Sequence, residues 1–179
     1  HADEGKTVNV TLDNVNINTN RAAVSVTGSG NTNIELKGNN TLTSGSGHAG
    51  LEHNKTDDSG TLTITDNNND GKLTASGGAG SAGIGGGFGV LGEHGPPAIT
   101  GGEITANGGD YGAGIGGGKN YNSAGGNGDV AISGGKITAQ GGDHAAGVGG
   151  GGDYNGNSTN TGNGNVTISG GEITSSCGW

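Results

Sequence analysis

Large apolar side chains are scarce in this chain of 179 residues: hydrophobic types make up 27% of it, while 46 positions are glycine. That balance excludes a thick globular core. It leaves either a disordered glycine-rich segment or a repeat fold whose thin core is renewed at every turn. Basic residues are also few, 7 against 16 acidic ones, for a net charge of −9. Such a chain is a poor partner for nucleic acid or an anionic membrane surface. No apolar run approaches the roughly 18 residues of a membrane span, so no membrane insertion is expected. Cys177 is the single cysteine, which rules out an internal disulfide and leaves only pairing between chains. The chain begins at His1 without a methionine, as an exported chain does once its signal peptide is removed. A secreted, extracellular or cell-surface location is therefore expected.

What the chain does have is a recurring phrase. It reads LTASGGAGSAGIGGG from Leu73, ITANGGDYGAGIGGG from Ile104 and ITAQGGDHAAGVGGG from Ile137. A diluted copy starts at Leu42 and a cut-off one at Ile173. These anchors are separated by 31, 31, 33 and 36 residues. A second anchor follows at Leu51, Ile84, Ile115 and Val148, at an offset of 9 in the first copy and 11 in the others. A short strand-like segment precedes each copy, at Ile34, Leu62, Ala98, Val130 and Val166. Three apolar anchors held in phase through four copies exclude disorder.

Each unit thus offers three short strands with apolar–polar alternation, as in Val166-Thr167-Ile168-Ser169, separated by glycine and asparagine turns. Stacked in register about 4.8 Å apart, such strands form an all-β, right-handed parallel β-helix, here of about five to six coils. One domain is expected over 1–179: an entry coil in 1–30, complete repeats in 31–151 and an incomplete terminal coil in 152–179. Stacking places Lys72, Glu103, Lys136 and Glu172 in one outward column of alternating charge. Thr43, Thr74, Thr105, Thr138 and Thr174 form a second. On the third face Gly83, Gly114 and Gly147 are expected to point outward, followed by Gly85, Gly116 and Gly149, leaving a bare surface for close packing against a neighbour or for a ligand. A single threonine column flanked by charges falls short of the two regular columns that ice binding needs.

The segments TVNVTLDNVNI and VSVTGSGNTNIELKGNNTLTSGSGHAGLE, followed by AGIGGG and ISGGxITAxGG units, resemble a family of glycine-rich bacterial surface proteins usually labelled carbohydrate-binding-domain-containing. The likeness runs from about Thr7 to Thr174. It implies a β-helix and export to the cell surface, and for some members binding of acidic polysaccharide with calcium. It supplies no catalytic residues.

Candidate sites follow from residue chemistry. Asp66, Asn68 and Asp70 stand at positions 1, 3 and 5 of a turn closed by Gly71, the first half of a calcium loop, with Asp57 or Asp58 available to complete it. The usual acid at position 12 is replaced by Gly77, and the same composition suits a plain polar turn. Asp110, Tyr111, Asp143 and His144 occupy equivalent repeat positions and make the best candidate strip for binding a polysaccharide. Other aromatic residues are few: Phe88, Tyr121, Tyr154 and Trp179. Gly112-x-Gly114-x-x-Gly117 matches the dinucleotide fingerprint only as a string, since no helix follows. The lone arginine, Arg21, and the scattered acids give no hydrolase or lyase pair, so no enzyme is expected.

Neither end carries an amphipathic capping helix. By the 11-residue offset the last coil's third strand would centre near position 184, beyond Trp179. Unlike but complementary ends favour an open head-to-tail polymer. Val8, Val10 and Leu12 would meet Ile173, Cys177 and Trp179 at its joint. Two readings stay open: a self-associating extracellular fibre, or a monomeric carbohydrate-binding module; calcium is the one candidate cofactor.

Overall fold

The computed structural model describes residues 1–54, 59–90, 97–121, 125–153 and 162–179. Asp57, Asp58 and Tyr154 lie outside them. All regular structure among the described residues is β. The first coil holds β1 (Thr7–Asp13), β2 (Asn16–Asn18) and β3 (Val24–Ser25). The second holds β4 (Asn31–Thr43) and β5 (Leu51–Glu52). The third holds β6 (Leu62–Thr65), β7 (Gly71–Ser76) and β8 (Ile84–Gly85). The fourth holds β9 (Ala98–Ile99), β10 (Glu103–Asn107) and β11 (Ile115–Gly116). The fifth holds β12 (Val130–Ile132), β13 (Lys136–Gln140) and β14 (Val148–Gly149). The last has β15 (Val166–Ile168) and β16 (Glu172–Ser176).

Every named strand pairs in parallel with its equivalent one coil away, which makes the chain a parallel β-solenoid with three faces. Face A stacks β1, the first half of β4, β6, β9, β12 and β15. Face B stacks β2, the second half of β4, β7, β10, β13 and β16. Face C stacks β3, β5, β8, β11 and β14. Four complete turns link the first strand of face C to its last. The five to six coils expected also counted the entry coil and the two-strand terminal coil. β4 runs unbroken across two faces and bends at Gly38, whose φ is +62°.

The core is a set of aliphatic columns. On face A, Val10, Ile34, Ile64, Ile99, Ile132 and Ile168 are successive partners. On face C the column is Val24, Leu51, Ile84, Ile115 and Val148. Fully burying each such side chain contributes roughly 1.5–3 kcal/mol, so each coil brings its own share of stability.

On face B the register differs from the expected one. Leu42 pairs with Ala75, and Leu73 pairs with Asn40. The expected Leu42 anchor is displaced by two residues, a shift that keeps the same side chains facing inward. Asn40 is 2% exposed in the column of Leu73, Ile104 and Ile137. It is tolerated there because its amide donates to the carbonyls of Leu12, Lys37 and Lys72 at 3.1 Å, and its oxygen accepts the Val15 N–H at 2.9 Å. The same shift places Thr41, not Thr43, below Thr74, Thr105, Thr138 and Thr174. The alternating charge column stands as expected: Lys72, Glu103, Lys136 and Glu172 are successive partners.

The glycines of face C are a second correction. Gly83, Gly114 and Gly147 are buried, not outward, and so are Gly85, Gly116 and Gly149. A Cβ on Gly83 would lie 2.6 Å from the Asn107 nitrogen, and one on Gly114 would lie 2.7 Å from the Gln140 nitrogen. At this corner the chain runs against the backbone of the face B strands, and only a hydrogen fits. These glycines pack within the chain and offer no bare surface to a neighbour.

Polar side chains supply the backbone groups that the corners leave unpaired. The side-chain oxygens of Asn14, Asn31, Asn127 and Asp129 accept the N–H groups of Asn39, Thr61, Asn163 and Asn165, each one coil above.

Candidate functional site

Three places carry chemistry or exposed apolar surface: the two ends of the solenoid, the corner bearing Tyr111 and His144, and the turn after β6.

The ends are open. β1, β2 and β3 at one end pair on one side only, as do β14, β15 and β16 at the other. Among the described residues the exposed large hydrophobics are Val10, Tyr121, Val166, Ile168 and Trp179, and four of these five lie on the terminal coils. Val10 (38% exposed) and Ile168 (51% exposed) are the two ends of the same face A column. Val8 and Ile173 are half-buried, and Cys177 is exposed. Leu12, placed at the joint from sequence, is instead buried beside Leu36. Sequence reasoning missed Val166 and Ile168. The alternation of β15 marks both as inward-facing, and only their place on the last coil exposes them.

At the corner between faces B and C, the second to fifth coils each make a left-handed turn. The residues there are Gly47 (φ +84°), Gly80 (φ +81°), Tyr111 (φ +62°) and His144 (φ +56°). Glycine adopts this conformation freely, whereas other residues strain by roughly 1–2 kcal/mol. Tyr111 and His144 therefore stand where the two preceding coils use glycine. Their rings stack with centroids 6.1 Å apart and planes inclined by 20°. Lys119 Nζ sits 4.8 Å from the Tyr111 centroid, a cation–π contact. Phe88 and Tyr121 meet edge to face alongside, centroids 4.9 Å apart. Gly47, Gly80, Phe88, Asp110, Tyr111 and Lys119 border a concavity of about 260 Å³. Asp110 is exposed at its rim, and Asp143, its equivalent one coil up, is exposed as well. Sequence reading named Phe88 and Tyr121 as aromatic residues but did not place them at this corner, and it did not single out Lys119, because all three lie on inter-strand segments without a period.

Strain of this kind makes a measurable difference between two truncations. Tyr111→Gly removes the ring and the strain together, while Tyr111→Ala removes only the ring. The glycine variant should be the more stable of the two by about 1 kcal/mol in urea denaturation.

The turn Asp66–Gly71 is closed by its own first residue. The Asp66 carboxylate accepts the N–H groups of Asp70 and Gly71, both at 3.1 Å. Asn67 is tied to Glu35 through its backbone and its amide, each at 2.7 Å, and the Thr65 hydroxyl donates to the same carboxylate. Asn69 takes φ +58° at the tip, and Asn68 and Asp70 are exposed. Turn closure thus accounts for the aspartate spacing. Among the described residues no group of three or more His, Cys, Asp or Glu gathers into a metal-binding cluster.

One buried polar group had no counterpart in the sequence reading. Glu52, 5% exposed, stands where the next three coils carry Gly85, Gly116 and Gly149. It accepts the Ala49 N–H at 3.0 Å and lies 3.1 Å from His48 Nδ1.

A protein-family model described as a beta helix repeat matches residues 68–88, 98–119 and 130–152, together less than half of the chain. The second and third blocks each coincide with one complete coil. No curated protein and no solved structure gives a match.

Proposed function

We propose that this chain is a non-enzymatic extracellular structural protein whose solenoids stack head to tail, with faces A and B continuing across each joint. The observation that carries the reading is the face A column with both ends in water. Ile168 of one copy has the same partner to gain from Val10 of the next as Ile132 gains from Ile168 within the chain. Edge strands with no partner template this addition, because each N–H and C=O left open by β1 answers one left open by β15. Asn165 repeats the geometry of Asp129 one coil up, and its side chain would meet the next copy's Thr7 N–H. Face C has one strand fewer than the others and stays out of the joint. A contact between unlike ends does not close on itself and grows as a filament.

Negative-stain microscopy of the purified chain at micromolar concentration tests this directly, with and without a calcium chelator. Long, thin, unbranched fibres are the expected result, and monodisperse particles a few nanometres long would overturn it. Loss of the fibres in chelator would assign calcium a role in assembly. Each copy carries −9, so added salt should lengthen the fibres by screening self-repulsion.

A second reading, a carbohydrate-binding module, is favoured by the Tyr111–His144 corner. Stacked rings beside a lysine, an aspartate and a shallow concavity suit the face of a sugar ring in an acidic polysaccharide. Under this reading Tyr111→Ala abolishes retention on polysaccharide, and the monomer binds as well as any polymer.

A further inference from the structure

On face B the strands β7, β10, β13 and β16 pair residue for residue over five positions at each of three successive steps. The long connections of variable length fall between a face C strand and the next face A strand, and the turn Asp66–Asp70 ahead of β7 is the one insertion of the later coils that borders this face. Three outward columns run up this face. The middle one is Asn16, Thr41, Thr74, Thr105, Thr138 and Thr174. A parallel column of hydrogen-bonding side chains includes Ser76, Asn107, Gln140 and Ser176. The third is Asn14, Asn39, Lys72, Glu103, Lys136 and Glu172, with Asn14 two residues ahead of the Asn16–Thr41 pair.

The order of charges in that third column is self-complementary. Reversing Lys-Glu-Lys-Glu gives Glu-Lys-Glu-Lys. A two-fold axis along the strands, passing between β10 and β13, therefore sets Lys72 against Glu172 of a second copy and Glu103 against its Lys136. Threonine meets threonine in the middle column, and Asn107 meets Gln140 in the outermost. In a head-to-tail stack the axis also brings Asn39 opposite the Asn14 of the following subunit, an amide pair. The other face-to-face arrangement has its axis along the solenoid. It sets the charges against neutral side chains and leaves them uncompensated.

Two further facts favour this face as a meeting surface. Its two lysines and two glutamates cancel, so the net −9 of the chain resides elsewhere and repulsion is smallest here. Of these four side chains, only Lys72 and Glu103 close into an ion pair within the chain, at 3.2 Å. Lys136 and Glu172 keep their charges for another partner.

We infer that face B is a lateral docking surface for a second copy, with the two solenoids antiparallel and their charge columns opposed. In an isolated pair the overlap is the four strands from β7 to β16, and five residues by four strands span about 16 by 19 Å, or about 300 Å² per partner. That is below the roughly 800 Å² of a stable pair, so two isolated copies associate weakly. Along a filament the same contact repeats, and avidity makes it strong. The inference thus draws its strength from the stacking proposed above, and it predicts ribbons of two opposed filaments.

The test uses wild-type protein and two variants with changes at exposed positions only. Wild-type filaments should appear as pairs that separate in about 1 M salt, where the Debye length falls to about 3 Å. Lys72→Glu with Lys136→Glu makes the column uniformly acidic and should give single filaments of normal length. Adding Glu103→Lys and Glu172→Lys to that variant restores an alternating column. Its filaments should pair with themselves and refuse differently labelled wild-type filaments. Single wild-type filaments, pairing that survives the double reversal, or free co-pairing of wild type with the fourfold variant would each overturn the inference. If no filament forms at all, the stacking reading fails instead. Sedimentation equilibrium of the same three proteins then decides the lateral one: a wild-type dimer lost in the double and regained in the fourfold variant supports it, and monomers throughout overturn it.

Discussion

Ile168→Asp should abolish filament growth while leaving the subunit folded. The side chain ends the face A column and is 51% exposed. In the isolated subunit the substitution loses only the contact with Ile132, on the order of 1 kcal/mol. At a stacked joint the same carboxylate would be sealed between Ile132 and the next copy's Val10 without a counter-ion. Burying an unpaired charge costs several kcal/mol, and each 1.4 kcal/mol is a tenfold change in affinity. The critical concentration for assembly should therefore rise by at least about a hundredfold. Ile168→Ala, which loses only apolar area, should raise it about fivefold. The variant keeps an intact Val10 end, so it can still add to a growing wild-type tip and then block it. Trace amounts should shorten wild-type fibres, as scored by length in the microscope. Fibres of unchanged length and yield would remove the joint from the places proposed for it.

The course of the chain was largely legible because a solenoid writes its period into the sequence. Inward positions recur every coil, and period-2 alternation marks them even in strands of three to five residues. The face B register in the second coil was the exception. Reading Leu42 as the anchor gave an offset of 9 to Leu51, against 11 in every other copy. Counting from Asn40 restores 11, so the anomaly itself pointed to the answer. It was hidden because a buried asparagine does not look like a core residue until its four hydrogen bonds are known. The direction of the face C glycines was illegible for a related reason. A residue without a side chain gives no inward or outward signal, and the backbone it avoids belongs to another face. At the Tyr111 corner the sequence marked the stacked pair through repeat equivalence. It could not place Phe88, Tyr121 and Lys119, which arrive from segments where length varies and phase is lost.

The face C glycines also yield the largest stability effect expected of any single methyl group here. Gly85, Gly116 and Gly149 are successive partners with nearly the same conformation, φ +130°, +133° and +130°. Replacing any of them by alanine forces an L-residue into a region that is essentially glycine's alone, at a cost of order 1–3 kcal/mol. The three differ in what stands above them. A Cβ on Gly85 would overlap the Gly116 carbonyl oxygen far inside van der Waals contact, and one on Gly116 would do the same to that of Gly149. Both obstacles are backbone in a hydrogen-bonded ladder, so neither can swing aside. Above Gly149 the nearest atoms are side-chain carbons of Ala146 and Val166 at 3.6 and 3.7 Å, an ordinary contact. Gly149→Ala should therefore carry the conformational cost alone and remain folded. Gly116→Ala must also push neighbouring coils away from each other, adding a few kcal/mol of overpacking. In guanidinium titrations Gly116→Ala should fall at least about 2 kcal/mol below Gly149→Ala, a large share of the 5–15 kcal/mol that ordinarily holds a domain together. Equal losses at the two positions would mean that conformation alone selects glycine there. The closeness of the coils would then have another cause.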